Sequence, residues 1–244
     1  MEILAINSSA HGAKGATQEI LSPFLEGAKI AGAEVKIVFL KELNLKPCLG
    51  CYGCWIKTPG FCTQDDDMAD LIARVKVSEL VVFAGPVYVD GISALGKLFL
   101  DRLIPLMDCH LIIKDGHTRH PIREYKFPRF FGIVTCGFYE KDNTDVWVEN
   151  LKRASRNFST EYIGTLIRPS SHILFWKKDY GDNINSIKEA AHQAGYELVT
   201  KGEVSLKLIN KVGEDFLSRD EVVKLSNAAW ERQLNKIRHC PKVT

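Results

Sequence analysis

The segment Glu79–Ala84 (ELVVFA) is apolar on both faces of the strand it would form. A strand without a polar face must be covered above and below, as in a parallel sheet with helices on both sides. The rest of the chain meets that requirement. Strand-like runs at Glu2–Asn7, Glu34–Leu40, Phe130–Thr135 and Tyr162–Ile167 alternate with helical spacing at Ala16–Gly32, Asp65–Val75, Ser93–Leu106, Thr144–Phe158 and Asn183–Thr200. Ile20, Phe24, Leu25 and Ala28 share one face of the first helix, and Asp65, Asp66 and Asp67 offer an N-cap and first-turn acids to the second. The expectation is α/β: an open five-stranded parallel sheet, order 2-1-3-4-5, with helices on both faces.

The 244 residues, 45% of them hydrophobic, suffice for one large domain. We expect that domain over residues 1–202 and a C-terminal helical extension over 203–244. The extension's helix, Arg219–Lys236, carries an apolar stripe of Val222, Val223, Leu225, Ala229, Trp230 and Leu234. Such a stripe is buried either on its own domain or on a second subunit. A second excess segment, Asp108–Arg129, is polar, basic and interrupted by proline, so it reads as an exposed loop or small hairpin. No internal repeat or low-complexity segment is visible.

Lys+Arg number 32 and Asp+Glu 30, a formal balance of +2, too near neutral to imply nucleic acid or an anionic membrane as partner. Met1-Glu2 leads directly into a strand without a signal-like apolar region. The most apolar stretch, Leu80–Val89, is broken by Gly85 and Pro86 and is too short to span a bilayer. A cytoplasmic location is expected.

Four of the seven cysteines, Cys48, Cys51, Cys54 and Cys62, are spaced C-x2-C-x2-C-x7-C within a loop over 44–67. Thiolates are soft ligands, and four together suit an iron–sulfur cluster or a zinc ion. In a reducing compartment such clusters are ligands or redox groups rather than structural disulfides, and the odd total argues against full pairing. Three readings stay open. A [4Fe–4S] cluster fits the compact run, which differs from the bacterial ferredoxin run in its later fourth cysteine. Zinc sites use two knuckles with a longer loop between them. In the third reading the loop is metal-free. Trp55, Ile56 and Pro59 would shield a cluster or anchor the loop.

The first strand runs into Ser8–Thr17 (SSAHGAKGAT) and then a helix. Hydroxyls, amides and a helix N-terminus together form an anion site. Neither the Walker pattern nor G-x-G-x-x-G occurs. The loop suits a monophosphate such as that of FMN, or is simply a βα turn.

INSSAHGAKGAT, CLGCYGCWIKTPGFCTQDDDM and GPVYVDGISALGKLFLDR stand in order along the chain. Together they resemble the phosphate loop, cysteine segment and flavin-ring loop of the NAD(P)H-dependent FMN reductase and iron–sulfur flavoprotein branch of the flavodoxin superfamily. The resemblance covers about residues 1–200. It implies a flavodoxin-like fold with Ser9, His11, Gly15, Ala16 and Thr17 around the FMN phosphate and Ser8 nearby. Pro86, Val87, Tyr88 and Val89 would line the isoalloxazine, Gly91 and Ser93 would complete that loop, and Thr135, Cys136 and Gly137 would form a third. The branch's cysteine pattern, C-x2-C-x2-C-x4-7-C, implies a [4Fe–4S] cluster on Cys48, Cys51, Cys54 and Cys62, although many relatives are simple flavoproteins that keep some of these cysteines. The implied activity is an FMN-dependent NAD(P)H oxidoreductase in which the flavin carries the chemistry and no side chain is catalytic. The alternatives are an electron carrier exchanging with ferredoxin, or a flavodoxin-like module without a cluster. A homodimer or homotetramer is implied.

This chain departs from the branch at two points. Asn7-Ser8-Ser9-Ala10 replaces the usual Gly-Ser-Pro-Arg, leaving Lys14 as the charge partner. Val89 replaces a bulky aromatic, so that ring stacking would fall to Trp55 or another subunit.

Other candidates have ordinary readings. His117, Arg119, His120, Arg123, Lys126 and Arg129 form a basic loop that would dock an NADPH 2′-phosphate or an acidic partner, or be a solvated surface or subunit contact. His11 is a phosphate donor or a polar turn residue. Cys136, Cys109 and Cys240 read as inert small hydrophobes, and Lys97, Asp101 and Arg102 as helix-surface pairs. No Ser-His-Asp order and no metalloprotease motif is present.

Overall fold

The structure, a computed structural model, describes residues 1–238. Five parallel strands, β1 (Glu2–Asn7), β2 (Glu34–Phe39), β3 (Leu80–Tyr88), β4 (Arg129–Thr135) and β5 (Tyr162–Arg168), lie in the order β2-β1-β3-β4-β5. This is the expected 2-1-3-4-5 arrangement. Along β1, Ile3 and Ala5 enter one core while Leu4 and Ile6 enter the other. Along β3, Leu80, Val82 and Ala84 alternate likewise with Val81 and Phe83. Strand periodicity thus sends successive side chains into two separate apolar layers.

Helices α1 (Ala16–Ile30) and α5 (Lys177–Lys201) cover the first layer, and α2 (Met68–Val77), α3 (Ala94–Asp101) and α4 (Asp145–Asn157) the second. α1 and α5 approach closely because neither carries a side chain at the crossing. A Cβ on Gly27 would stand 1.9 Å from the His192 carbonyl oxygen, and one on Gly195 would stand 1.8 Å from that of Phe24.

Some elements differ from expectation. The helix expected over Ser93–Leu106 stops at Asp101 and gives way to a 3-10 turn over Ile104–Leu106, where Pro105 cannot continue α-helical bonding. α5 starts at Lys177 rather than Asn183, with a non-helical Tyr180 inside it. Asp67 flanks α2 without capping it: its carboxylate accepts the Asn44 amide, while that of Asp66 accepts the Met68 amide. The basic segment does contain a hairpin, Ile112–Lys114 with His117–Arg119.

A short helix the sequence did not announce, α6 (Leu206–Val212), precedes the terminal helix α7 (Arg219–Arg238). Val204 and Val212 join the first core layer. Arg168, buried at the end of β5, donates to the carbonyls of Val212 (3.1 Å) and Glu214 (2.7 Å) and to the Asp215 carboxylate (3.3 Å). Burial lowers its pKa to about 10, and these partners tie the segment after α5 to the sheet. Cys240 lies outside the described residues.

Gly195→Ala should destabilise the fold by about 3 kcal/mol, because a backbone carbonyl blocks the added methyl. Gly181→Ala, in the same helix with nothing within 4 Å of its Cβ position, should gain about 0.5 kcal/mol. Urea unfolding of both variants checks this pair of signs.

Candidate functional site

A parallel sheet delivers every βα loop to one edge, and hydroxyl groups lock the loops together there. The Ser8 hydroxyl donates to the Ala84 carbonyl (3.0 Å), joining β1 to β3. The Ser93 hydroxyl donates to the Ser8 carbonyl (2.9 Å) and caps α3 by accepting from the Gly96 amide (3.3 Å). The hydroxyls of Thr17 and Thr135 meet at 2.9 Å, joining the start of α1 to the end of β4. All four residues are buried, so their hydroxyls set the loops' spacing. The Ser8 hydroxyl is directed at β3.

The phosphate-type loop is built around bare backbone. A Cβ on Gly15 would stand 2.8 Å from the Ser9 hydroxyl and 3.0 Å from the His11 Cβ. The amides of Ala16 and Thr17, in the first turn of α1, have no residue four places back to bond within the helix. Amides so placed can cradle an anion. Ser9 accepts the His11 amide (3.2 Å), and His11 and Lys14 are exposed. Lys41, which the sequence did not single out, lays its aliphatic stem against Gly12, where a Cβ would stand 2.7 Å from Lys41 Cδ. Its position just after β2 brings a second cation to the loop; nothing in the local sequence signals this.

β3 continues through Gly85 and Pro86 and turns back, with Val87 pairing Ile92 and Tyr88 pairing Gly91. The turn residues Val89 and Asp90 both have positive φ, 48° and 57°. A β-branched residue is costly in that region, and such strain gathers at functional loops. Val89 is fully exposed (102%) and Tyr88 half so. On the far side, Cys136 is buried and its thiol pKa is raised by burial. It is an inert thiol, whereas Gly137 beside it is exposed, with nothing within 4 Å of its Cβ position. Bare amides, a strained rim and an open Gly137 along one edge fit a phosphate-tailed planar ligand such as FMN.

The four loop cysteines line one cavity together with Tyr52, Thr63, Gln64, Arg102, Ile104 and Pro105. The Gly53 amide and the Thr63 hydroxyl lower the pKa of Cys51, while burial and the neighbouring thiolates raise that of Cys54. Among the described residues, the group of three ligand types within 4.8 Å of one another is Asp108, Cys109 and His110, so no three of the loop thiols are that close. Four soft thiol donors around one cavity are a donor set that fits an iron–sulfur cluster.

Arg102 is not on the surface. It is 1% exposed and grips the equally buried Asp66 carboxylate with both terminal nitrogens, at 2.7 and 2.9 Å. Burial would raise the Asp66 pKa, but Arg102 and the amides of Lys46 and Met68 outweigh it and hold the carboxyl below its usual range. Lys97 and Asp101 do form the expected surface pair. The two halves of the clamp are 36 residues apart, a separation no local pattern reveals.

Trp55 anchors the cysteine loop: its indole donates to the Ile104 carbonyl (3.3 Å), and its ring meets Tyr52 and His120. Ile56, 77% exposed, shields nothing, and Pro59 is exposed. The basic segment packs on this loop through His120 and through Arg123, which lies beside Gly60 and pairs with Asp108 (3.1 Å). Cys109, read as an inert small hydrophobe, is exposed. On α7, Val222 is buried and Ser226 meets the His172 ring nitrogen (2.7 Å), while Val223 and Trp230 stay exposed. A cleft of about 1030 Å³ runs between α7 and the segments after β4 and β5, lined by Gly137, Phe138, Phe175, Trp176 and Trp230 among others.

Residues 1–121, just under half of the chain, match the NADPH-dependent FMN reductase family. An iron–sulfur flavoprotein of Methanocaldococcus jannaschii is 30% identical over 43% of this chain and 53% of its own length. One from Methanosarcina thermophila is 29% identical over 47% of this chain and 59% of its own. The chain thus spans about half the length of these curated relatives. Among solved structures, an NAD(P)H:quinone oxidoreductase from Methanothermobacter marburgensis superposes with a TM-score of 0.60 at 17% identity, covering 81% of this chain and 96% of that one. An FMN-dependent NADH-azoreductase from Bacillus anthracis, in complex with FMN, gives 0.57 at 15% identity, covering 80% and 100%. At these identities the structural likeness speaks for the fold alone. The chain has a flavodoxin-like fold and is similar in sequence to the NADPH-dependent FMN reductases and iron–sulfur flavoproteins.

Proposed function

We propose that the protein is an FMN-dependent oxidoreductase that takes electrons from NAD(P)H and passes them to a small acceptor or a redox protein. The observation that carries this reading is the convergence of three loops, one with a side-chain-free anion cradle, on one sheet edge. When bound, FMN would accept two electrons from the nicotinamide and release them singly or in pairs. Ser9 and the amides of Ala16 and Thr17 hold the phosphate, with His11, Lys14 and Lys41 at its rim. Pro86 to Val89 form one wall for the ring system, Gly91 and Ser93 fix that wall, and Thr135 with Gly137 bounds the opposite side. The matched family and the relatives' names support this assignment.

Cys48, Cys51, Cys54 and Cys62 hold a [4Fe–4S] cluster in this reading, supported by the cavity they share and by the names of the iron–sulfur flavoprotein relatives. Among the described residues no helix is long and apolar enough to cross a membrane, and a cytoplasmic setting suits reduced thiols. The exposed Val223 and Trp230 would meet a second copy in a homodimer or homotetramer.

Two outcomes are expected. Gly15→Ala should weaken FMN binding to the apoprotein at least about tenfold, roughly 1.4 kcal/mol, in a fluorescence titration. Anaerobic stopped-flow mixing with NADPH should bleach the flavin within the turnover time. An unbleached flavin that ferredoxin nonetheless reduces would replace the reductase by an electron carrier.

A further inference from the structure

The Arg102 side chain does more than close the cysteine loop. Beyond its two bonds to Asp66, one terminal nitrogen donates to the Lys46 carbonyl at the loop's start, and the other reaches Cys62 Sγ at 3.5 Å. Asp66 in turn accepts the Lys46 amide (2.9 Å). The guanidinium therefore has one fixed orientation, and one of its N–H groups points at the cysteine farthest along the chain from the other three. Cys48, Cys51 and Cys54 are gathered by their own short spacing. Cys62 follows seven intervening residues, and it is the cysteine that receives the external brace. Lysine could not serve, because two parallel bonds to a carboxylate and a third to a sulfur need a planar fork.

We propose that Arg102 is a positioning residue for the cysteine centre: it holds Cys62 toward the cavity and, by N–H···S donation, raises the reduction potential of the cluster bound there. The proposal rests on the cluster reading above. A donor to a ligand sulfur stabilises the more negative, reduced cluster over the oxidised one, and hydrogen bonds to sulfur are among the factors that set cluster potentials. Asp66 balances the charge of Arg102, so the undisturbed pair acts on Cys62 mainly through direction, and disturbing either member has a defined sign. Arg102 ends α3, whose first turn is capped by Ser93 at the flavin-type loop. The eight residues of α3, about 12 Å of helix, fix the spacing of the two centres.

The test uses full-length protein purified anaerobically, with iron and sulfide measured per chain and the cluster midpoint read by spectroelectrochemical titration. Asp66→Asn leaves the guanidinium uncompensated beside Cys62 and should shift the midpoint upward. The double variant Arg102→Met with Asp66→Asn removes both charges and the donor, and should shift it downward from wild type. A general loosening of the loop would move both variants the same way. A rise in the single variant with a fall in the double, at full iron content, supports the proposal; unchanged midpoints, shifts of one sign, or the reverse pair of signs overturn it. Should the double variant fail to fold, the single one decides: a rise supports, no rise overturns. Wild-type protein without iron would sink the cluster reading and this proposal with it, whereas iron present without the shifts sinks only the role of Arg102.

Discussion

Strand direction is the constraint from which the site follows. Five parallel strands leave their βα loops at one edge, and buried hydroxyls stitch those loops to one another. Ser8 to Ala84, Ser93 to Ser8, and Thr17 to Thr135 are each single bonds, worth about 1 kcal/mol. Collectively they set the gap between the loops. Hydroxyl-rich loops of this kind read in sequence as ligand donors. Here several of the hydroxyls make the frame, and amides and glycines stand between them.

The cysteine loop is a graft onto the second layer. It enters after β2, returns through Asp66, and is held from outside by residues of α3 and of the basic segment. Arg102 fixes its base, Trp55 docks its middle on Ile104 and His120, and Arg123 lies beside Gly60. The basic segment therefore covers part of this loop. A buried ion pair such as Arg102–Asp66 contributes little net stability, since desolvation offsets its attraction. Its value lies in direction: a planar donor oriented by four acceptors.

The sheet was legible because β-strand and helix periodicities differ and each strand is short and apolar. All five parallel strands and the main helices follow from that pattern, whereas the strand order was expected from the fold such strands commonly adopt and not from any residue. Helix ends were less legible where one residue decides them, as Pro105 does after α3. The small helix α6 carries too short a stripe to stand out. At the site, motif order identified which loops meet, but not the role of each side chain. Arg102 looked like a surface partner of its neighbours because its true partner, Asp66, lies on another element. Lys41 had no motif at all; only the fold brings its stem against Gly12.

The visible absorption spectrum of the protein purified without oxygen tests the central claim most directly. Flavin bands, superposed on a broad absorption that bleaches with dithionite and accompanied by bound FMN on extraction, are the predicted result. A colourless protein that takes up no FMN when offered it would contradict the account.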